Sequence, residues 1–479
     1  MLKRFRMVVP LVLCGVLLLS ACGEEEAADT SISRSEAAFP VVDALSSASI
    51  LRVDSHTVAY VGERVGTNYK LNLVDLDNPG EKLSREIGGN VAVITAGGGR
   101  IALIQAVEHG YETFAGQYTR VYDAGNLALV KTIPLAPPEA EGRVVEPLHH
   151  RDPSLAISDR YVAVATEDDG FFSSGGAQQY LNIYEIGGSG SSPTLPIYGG
   201  ASGGARGSSA IGALMGVAIN GDYLLVGGST GTAVYKIDSG LELTQVAASD
   251  GVGNHWFKDN GVYVLESKSN TGTVKVWKWN GGEAPTALGT IDVNETGSGS
   301  VQALAFDADD PAKAYFYAKV TGGNVYSVNL AAASLTKTLE FSFPNAVITI
   351  SGRGGSASYE VPLITGLWTI EKQSTGGHDY YVFSGSYSYT PAGGAAVTNG
   401  AVFIITDPPR GANIANQGDA TTPVADSRVT VEGFTAPWGT AVRTLKTFKS
   451  SSGDIYFAAK NYTASGAASN YKLVLKQIN

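Results

Sequence analysis

Short apolar runs that alternate with turn residues dominate the hydrophobic pattern of this chain. The clearest copy is Tyr161-Val-Ala-Val-Ala-Thr166, then a Gly/Ser-rich gap, then Leu181-Asn-Ile-Tyr-Glu-Ile186. Each half is rich in Val, Ile and Tyr and has turn residues on both sides, which is typical of a β-strand. The pattern therefore predicts a strand, a loop and a second strand, and this unit returns along the chain.

Eight copies of the unit can be counted. Their first recognisable strands, which we assign as the second strand of each unit, are at 58–61, 101–105, 161–166, 223–227, 262–266, 315–319, 380–384 and 455–459. The third strands follow at 71–76, 119–122, 181–186, 233–237, 274–279, 324–328, 401–406 and 471–477. One such sheet cannot bury both of its faces, so several must pack around an axis. We predict an all-β β-propeller of eight blades, with seven as the alternative if the unit at Tyr380 is an insertion.

The two ends of the chain fit a closed ring. The last unit stops at its third strand, whereas residues 38–45 offer an apolar run before the first complete unit. We expect this N-terminal strand to complete the last blade, which would hide two strand edges.

Composition supports this fold class and excludes some partners. Glycine supplies 59 of the 479 residues, and it clusters between the apolar runs, where tight turns require positive φ. Long segments of helical period are scarce, which argues against a bundle or a βαβ fold. The net charge is −11 without a dense basic run, so we expect no nucleic-acid partner.

The N-terminus has the features of an export signal. Lys3, Arg4 and Arg6 precede an apolar run at 7–19 that is too short to span a bilayer. Leu19-Ser20-Ala21-Cys22 follows and resembles the bacterial lipobox, which implies cleavage before Cys22 and lipidation of its thiol. The alternative is an ordinary secretory signal with a chance cysteine. Residues 1–21 are thus the predicted signal peptide, 22–35 an acidic flexible tether and 36–479 the propeller.

Lipidation would determine where in the cell the protein is located. Two or more acyl chains anchor a domain stably without crossing the membrane, and Gly23 stands where the inner-membrane retention signal has Asp. By resemblance to that sorting rule, we expect anchoring at the outer membrane of a bacterial envelope, on either its periplasmic or its surface side. Cys14 leaves with the signal, so no free thiol remains for a disulfide or a zinc site.

The connections of a propeller open on two faces, and here they differ in length. The turns between first and second strands and between third and fourth strands are mostly short, and we call their side the short-turn face. The connections between second and third strands and between blades are mostly long, and we call their side the long-loop face. It includes residues 109–118, 167–179, 385–400, 460–470, 136–150, 201–211, 343–362 and 414–429.

Long loops on one face of a rigid scaffold are where binding usually resides, although drift in tolerant loops is the alternative. Aromatic side chains suit flat contact with a protein or a sugar. The candidate binding residues on these connections are Tyr111, Phe114, Tyr118, Phe171, Phe172, Tyr387 and Tyr389.

Candidate catalytic or metal-binding residues are few. His149, His150 and Asp152 precede one inner strand, and His255 precedes another, so they would lie near the mouth of the central channel. Converging imidazoles could hold a metal but would need further ligands; solvated or turn-capping histidines are the alternative.

Acidic clusters such as Asp307-x-Asp309-Asp310 lack a complete calcium loop, and turn chemistry explains them. We find no nucleotide or hydrolase motif, and we predict no cofactor other than lipid on Cys22.

Two resemblances accompany these observations. The phrase Leu71-Asn-Leu-Val-Asp-Leu76, with Asn78-Pro79-Gly80 after it, resembles LVIVD-type and related bacterial propeller repeats. A lipid anchor joined to a propeller is also similar in architecture to the propeller lipoprotein of the outer-membrane β-barrel assembly machinery. The leading hypothesis is a lipid-anchored module that binds an envelope protein or a glycan through its long-loop face. The alternative is an envelope hydrolase or lyase with a metal or His/Asp site at the channel mouth.

Overall fold

The fold is described from a computed structural model. It describes residues 32–36, 42–43, 50–65, 68–78, 81–88, 90–109, 113–134, 145–147, 155–168, 178–188, 195–199, 214–228, 230–250, 256–267, 272–293, 300–319, 323–342, 345–352, 355–362, 366–389, 397–413, 429–432, 441–462 and 472–478. Every assigned element within these ranges is a β-strand, apart from turns and one isolated bridge. None of these residues forms a helix long and apolar enough to cross a membrane.

The strands form antiparallel sheets in chain order. The N-terminal strands are β1 (Ile32–Glu36) and β2 (Val42–Asp43), and blade 1 consists of β3 (Ile50–Arg52), β4 (Thr57–Val65), β5 (Asn68–Asp75) and β6 (Glu81–Ile87). Blade 2 consists of β7 (Asn90–Gly97), β8 (Arg100–His109), β9 (Thr113–Asp123) and β10 (Leu129–Pro134). Blade 3 consists of β11 (Val145–Pro147), β12 (Leu155–Ile157), β13 (Tyr161–Asp168), β14 (Gln178–Glu185) and β15 (Leu195–Gly199).

The middle of the chain continues the series. Blade 4 consists of β16 (Leu214–Asn220), β17 (Tyr223–Gly228), β18 (Gly231–Ile237) and β19 (Leu243–Asp250). Blade 5 consists of β20 (Trp256–Asp259), β21 (Tyr263–Ser267), β22 (Thr273–Lys278) and β23 (Thr286–Asp292). Blade 6 consists of β24 (Ser300–Phe306), β25 (Lys313–Lys319), β26 (Asn324–Asn329) and β27 (Lys337–Ser342).

The last third is less regular. A hairpin of β28 (Asn345–Gly352) and β29 (Gly355–Pro362) separates blades 6 and 7. Blade 7 contains β30 (Gly366–Thr375), β31 (His378–Tyr389), β32 (Val397–Thr406) and β34 (Val429–Glu432), while β33 (Ala412–Asn413) joins the outer edge of blade 6 in parallel. Blade 8 contains β35 (Ala441–Lys449), β36 (Ile455–Tyr462) and β37 (Lys472–Gln477).

These pairings confirm the predicted all-β propeller. The first strands of blades 1 to 8 contact one another in order, and β35 returns to β3, so the ring is closed. Seven sheets each take their blade strands from successive parts of the chain, interrupted in blade 7 by β33, whereas the eighth combines β35–β37 with the N-terminal β2. The Tyr380 unit lies in a four-stranded sheet, between β30 and β32, and is therefore part of the ring. Closure by an N-terminal strand is confirmed by the pairing of Val42 with Leu473 and of Asp43 with Lys472.

Strand β1 adds a fifth strand to the outer edge of blade 1. It pairs antiparallel with β6, from Ile32 opposite Arg85 to Glu36 opposite Glu81. Residues Ile32 to Ser35 fall within the predicted tether 22–35, so part of that segment lies on the propeller in this structure.

Apolar clusters between neighbouring blades form the core. Tyr161, Leu181, Leu224 and Val226, for example, are buried together between blades 3 and 4. Trp277 and Trp279 are buried between blades 4 and 5, where they contribute to the packing of these blades. Burial of apolar surface is the main favourable term in folding. The apolar residues of the alternating strands therefore also hold neighbouring blades together.

Candidate functional site

Two connections on the long-loop face are β-ribbons rather than loops. In blade 2, pairing continues to His109 opposite Thr113, and in blade 7 it continues to Tyr389 opposite Val397. The connections at 109–118 and 385–400 were predicted to be long loops, but their described residues, 109, 113–118, 385–389 and 397–400, belong to paired strands. The residues there hydrogen-bond across the ribbon, so strand pairing extends beyond the length needed for the blade.

Other connections also differ from the prediction. Residues 343–362 contain the β28–β29 hairpin, whose strands pair from Asn345 opposite Pro362 to Gly352 opposite Gly355. Residues 414–429 were predicted to join two blades on the long-loop face. They instead lie between β32 and β34, the third and fourth strands of blade 7, because the chain first leaves this blade to place β33 beside blade 6.

The predicted binding aromatics divide into two groups. Phe114 lies in β9, opposite Glu108, and Tyr387 and Tyr389 lie in β31, opposite Asn399 and Val397. Tyr118 is half-buried in β9, with the Arg120 guanidinium 6.0 Å from its ring centroid. Tyr111, Phe171 and Phe172 lie outside the described residues.

The other predicted site residues cannot be placed by this structure. His149, His150, Asp152, His255 and the lipidation residue Cys22 all lie outside the described ranges. Within those ranges, no group of three or more His, Cys, Asp or Glu side chains could hold a metal ion.

A buried carboxyl group lies between blades 4 and 5, near the ends of their strands on the long-loop face. Glu266, the penultimate residue of β21, is 0% exposed, and its Oε2 accepts a hydrogen bond from the Thr232 hydroxyl at 2.6 Å. Its Oε1 has no hydrogen-bond partner among the described residues. Burial raises the pKa of Glu266 to about 7, although the Thr232 bond and the charge of Lys275 act in the opposite direction.

Glu266 can exchange a proton near neutral pH, but no substrate can reach it in this conformation. Thr232, which hydrogen-bonds to the carboxyl group, is also 0% exposed, so this hydroxyl–carboxyl pair is not an accessible nucleophile and base. Trp277 Nε1 is buried and has no hydrogen-bond partner among the described residues, although the indole contributes to lowering the Glu266 pKa.

A second buried charge lies on the short-turn face where blades 6, 7 and 8 meet. The Lys372 ammonium is 3.2 Å from Asp307 Oδ2 and 3.0 Å from Asp379 Oδ1. The Tyr315 hydroxyl donates to Asp307 Oδ2 at 3.1 Å, and Ser374 donates to Asp379 at 2.5 Å. Burial lowers the Lys372 pKa, but Asp379 and Asp307 outweigh it and hold this pKa above its usual value.

The neighbouring turn extends this network to blade 8. The Asp309 carboxylate accepts a hydrogen bond from Ser374 N at 3.1 Å and pairs with Lys449. Asp310 accepts from Ala312 N at 3.0 Å. Each of these carboxylates therefore receives donors from the protein, which confirms the turn interpretation of this acidic cluster.

Further hydrogen bonds join the short turns around the ring. Asp222 pairs with Arg160 at 3.0 Å, between blades 3 and 4. The Asn220 and Asn260 side-chain amides donate to Gly261 O at 3.0 Å and Pro311 O at 2.9 Å. Asp77 Oδ1 accepts from Ser451 N at 2.5 Å, between blades 1 and 8. Within the described residues, these contacts link short turns of neighbouring blades on the short-turn face.

Sequence reasoning missed both buried charges. Glu266 could have been noticed as the one acidic residue in the apolar run Val262-Tyr-Val-Leu-Glu266. Lys372 carries no comparable signal, because its partners Asp307 and Asp379 come from two different blades.

The ring of blades and its two unlike faces define the class of this protein as a β-propeller. Sequence comparison adds no family, since no protein-family description matches the chain and no curated protein matches it.

Several solved structures are similar at low identity. They include AztD from Citrobacter koseri, with 8% identity, a TM-score of 0.43 and coverage of 80% of this chain and 88% of that chain. They also include a candidate 6-phosphogluconolactonase from Bacteroides fragilis, with 12% identity, a TM-score of 0.37 and coverage of 80% and 98%. Hsv2 from Kluyveromyces lactis has 9% identity, a TM-score of 0.35 and coverage of 75% and 97%.

Proposed function

We propose that this protein is a lipid-anchored β-propeller of the bacterial envelope that binds a protein or a glycan through its long-loop face. The observation that carries the proposal is the difference between the faces. Paired ribbons extend blades 2 and 7 on the long-loop face, whereas the described short turns bond mainly to one another. A paired β-ribbon can in general bind a partner through its backbone edge and its alternating side chains.

The proposed lipid anchor and outer-membrane location rest on the N-terminal sequence. The lipobox-like residues 19–22 support a diacylglycerol on Cys22, and Gly23 supports transport to the outer membrane. Loss of residues 1–21 removes three positive charges and would take the net charge from −11 to −14. Such a negative domain is a poor match for nucleic acid, which agrees with a protein or glycan partner.

The test is purification from native membranes with the blade 7 ribbon intact or shortened. The shortened variant lacks residues 387–399 and joins Ser386 to Gly400 through Asn-Gly, because that pair already lies opposite in register and Asn-Gly favours a two-residue hairpin turn. We expect a stoichiometric envelope partner or bound glycan that is lost from this variant. Glu283→Ala, an exposed substitution in a turn of blade 5, is the matched control and should retain it.

Two results would contradict the proposal. A Cys22→Ser protein that still fractionates with membranes would refute the lipid anchor. A protein without a partner or glycan, carrying about one equivalent of metal that His149→Ala removes, would instead support an enzyme.

A further inference from the structure

The junction between blades 4 and 5 has a smaller apolar core than the junctions on either side of it. Among the described residues, seven buried apolar side chains form its cluster. The clusters between blades 3 and 4 and between blades 5 and 6 contain fifteen and fourteen. Because buried apolar area holds packed sheets together, we expect blades 4 and 5 to separate more easily than their neighbours.

Side-chain hydrogen bonds cross this junction at both of its ends. At the short-turn end, the Asn220 amide donates to Gly261 O at 3.0 Å. At the long-loop end, the Thr232 hydroxyl donates to Glu266 Oε2 at 2.6 Å. The first bond joins two neutral groups that do not titrate. The second depends on a carboxyl group, so the two ends of the junction differ in their response to pH.

A closed junction suits the protonated form of Glu266. Glu266 and Thr232 are both 0% exposed, and Glu266 Oε1 has no hydrogen-bond partner among the described residues. A carboxylate in this place would be a buried charge with one neutral hydrogen bond, which is costly. Once the proton has passed to water, separation of the blades at this end lets solvent reach both carboxylate oxygens.

Lys275 is the nearest cation in the sequence register of the blade. It lies opposite Glu266 on β22 and is buried, with its ammonium 5.0 Å from the Trp277 ring centroid. Its charge favours the carboxylate, but burial of Glu266 outweighs it, and the pKa of Glu266 stays at about 7. Lys275 therefore reduces the cost of the charge without removing it.

The other described ionisable side chains on the strands that face this junction lie away from Glu266 or in solvent. Tyr223 and Lys236 lie at the short-turn ends of β17 and β18, Asp259 at the short-turn end of β20, and Asp292 at the long-loop end of β23. Lys236, Asp259 and Asp292 are exposed. Asp259 also accepts hydrogen bonds from Gly261 N at 2.8 Å and Trp279 Nε1 at 3.1 Å, so it serves as the control below.

We propose that the junction between blades 4 and 5 is a pH-sensitive gate in the ring, which opens at its long-loop end when Glu266 loses its proton. The bond from Asn220 to Gly261 holds the short-turn end, which acts as the hinge. Opening admits water to Thr232 and Glu266 and separates the long-loop ends of the two blades. The gate goes beyond the proposed function and requires neither the lipid anchor nor a partner.

Two buried valines allow opening of this junction to be compared with its neighbour. Val234 lies beside Thr232 on one face of β18, in the junction between blades 4 and 5, and Val274 lies in the junction between blades 5 and 6. Both are 0% exposed and near the long-loop ends of third strands. Val234→Cys and Val274→Cys are each made in the full chain with Cys14→Ser and Cys22→Ser, so that each protein has one thiol.

The measurement is the rate at which an uncharged maleimide labels each thiol in the folded protein between pH 6 and pH 8. Dividing the rate at position 234 by the rate at position 274 cancels the pH dependence of the thiol itself. We expect this ratio to rise about tenfold from pH 6 to pH 8, because a carboxyl group with a pKa of about 7 when closed and 4.5 when solvated shifts the opening equilibrium by that factor.

Three further substitutions assign the rise to Glu266. Glu266→Gln stays neutral, so the ratio should not change with pH. Thr232→Val removes a bond that lowers the Glu266 pKa, so the rise should continue to a higher pH than in the parent protein. Asp259→Asn should retain the tenfold rise.

Several results would overturn the gate. A ratio that stays constant in the parent protein, or equal acceleration at both positions, would show that pH acts on the whole ring or not at all. A rise that survives Glu266→Gln, or disappears in Asp259→Asn, would assign it to another group. Each of these results leaves the proposed function untouched, because the lipid anchor and the partner are tested separately.

Discussion

Two junctions between blades each bury an ionisable side chain. The two side chains differ in how many charged or hydrogen-bonding partners surround them. At blades 6 and 7, Lys372 lies between two carboxylates, and one of these also accepts the Tyr315 hydroxyl. At blades 4 and 5, Glu266 accepts one hydrogen bond from Thr232 and retains an oxygen without a partner among the described residues. A buried charge is stabilising only when partners replace its water, so the first junction should hold the ring together while the second should weaken it at high pH.

The largest effect should come from removing the compensated charge. Lys372→Met leaves Asp307, itself 6% exposed, without its cation, and breaking a buried pair costs about 3–5 kcal/mol. Chemical denaturation followed by fluorescence would measure this loss. Lys449→Met is the matched control, since Lys449 is more exposed and such pairs contribute about 1 kcal/mol or less. If both variants lost the same free energy of unfolding, the buried ion pair would contribute no more to stability than the exposed one.

Glu266 should show the opposite behaviour. Its folded-state pKa of about 7 lies above the ordinary value of 4.5, so from pH 4.5 to 7 the folded protein keeps a proton that the unfolded chain has lost. Stability therefore falls as pH rises through this window, by about 3 kcal/mol in total if Glu266 acts alone.

Glu266→Gln should abolish this fall, because the amide resembles the neutral acid. We expect the variant to be more stable by about 3 kcal/mol at pH 8 and nearly unchanged at pH 4. Unfolding at several pH values would test this, with Glu283→Gln, at an exposed position, as the control. A variant that is less stable at pH 8 would show that Glu266 is compensated by groups other than those described.

The Tyr315 hydroxyl tests how much a single hydrogen bond adds to the Lys372 junction. Tyr315→Phe keeps the ring that packs edge-on against Tyr381 at 5.5 Å but removes the donor to Asp307. Hydrogen bonds to charged groups contribute about 1.5–3 kcal/mol, so the denaturation midpoint should fall accordingly. Combination with Lys372→Met should be less than additive, because both changes act on Asp307; strict additivity would contradict a shared network.

The smallest effect should come from the neutral bonds between turns. Asn260→Ala removes the donor to Pro311 O and the acceptor for Val262 N and Tyr263 N, for a loss of about 1–2 kcal/mol. Asn280→Ala, which removes bonds within blade 5, is the control. Hydrogen exchange should accelerate at residues 307–313 of blade 6 in the first variant only; acceleration in both would show that the bond between blades has no special role.

The sequence predicted the blades well because the signal for a strand is local. The second and third strands at Tyr161 and Leu181 were found at these positions, as were the equivalent strands at Tyr380 and Ala401. It also predicted ring closure, since an apolar N-terminal run and a last unit without a fourth strand are both visible in the chain. The ribbons were missed because Gly, Ser and Thr are common in loops, and only cross-strand pairing reveals that such residues are extended.

The residues of the candidate site were harder to obtain from the sequence. It identified Tyr387 and Tyr389 as part of a connection on the long-loop face, and both lie in the blade 7 ribbon. The histidines at 149, 150 and 255 and the lipid on Cys22 stay predictions.

By itself the sequence determined the repeated strands and the all-β class, because alternation of apolar and polar residues is a property of neighbours in the chain. Only the tertiary structure decided that Lys372 meets Asp307 and Asp379, that Glu266 is buried with a single described hydrogen bond, and that β1 pairs with the outer edge of blade 1. Each of these depends on which strands lie side by side in the ring. Asp307 and Lys372, for example, are 65 positions apart in the chain. The fold brings them together, and the energy of their contact depends on how deeply it is buried.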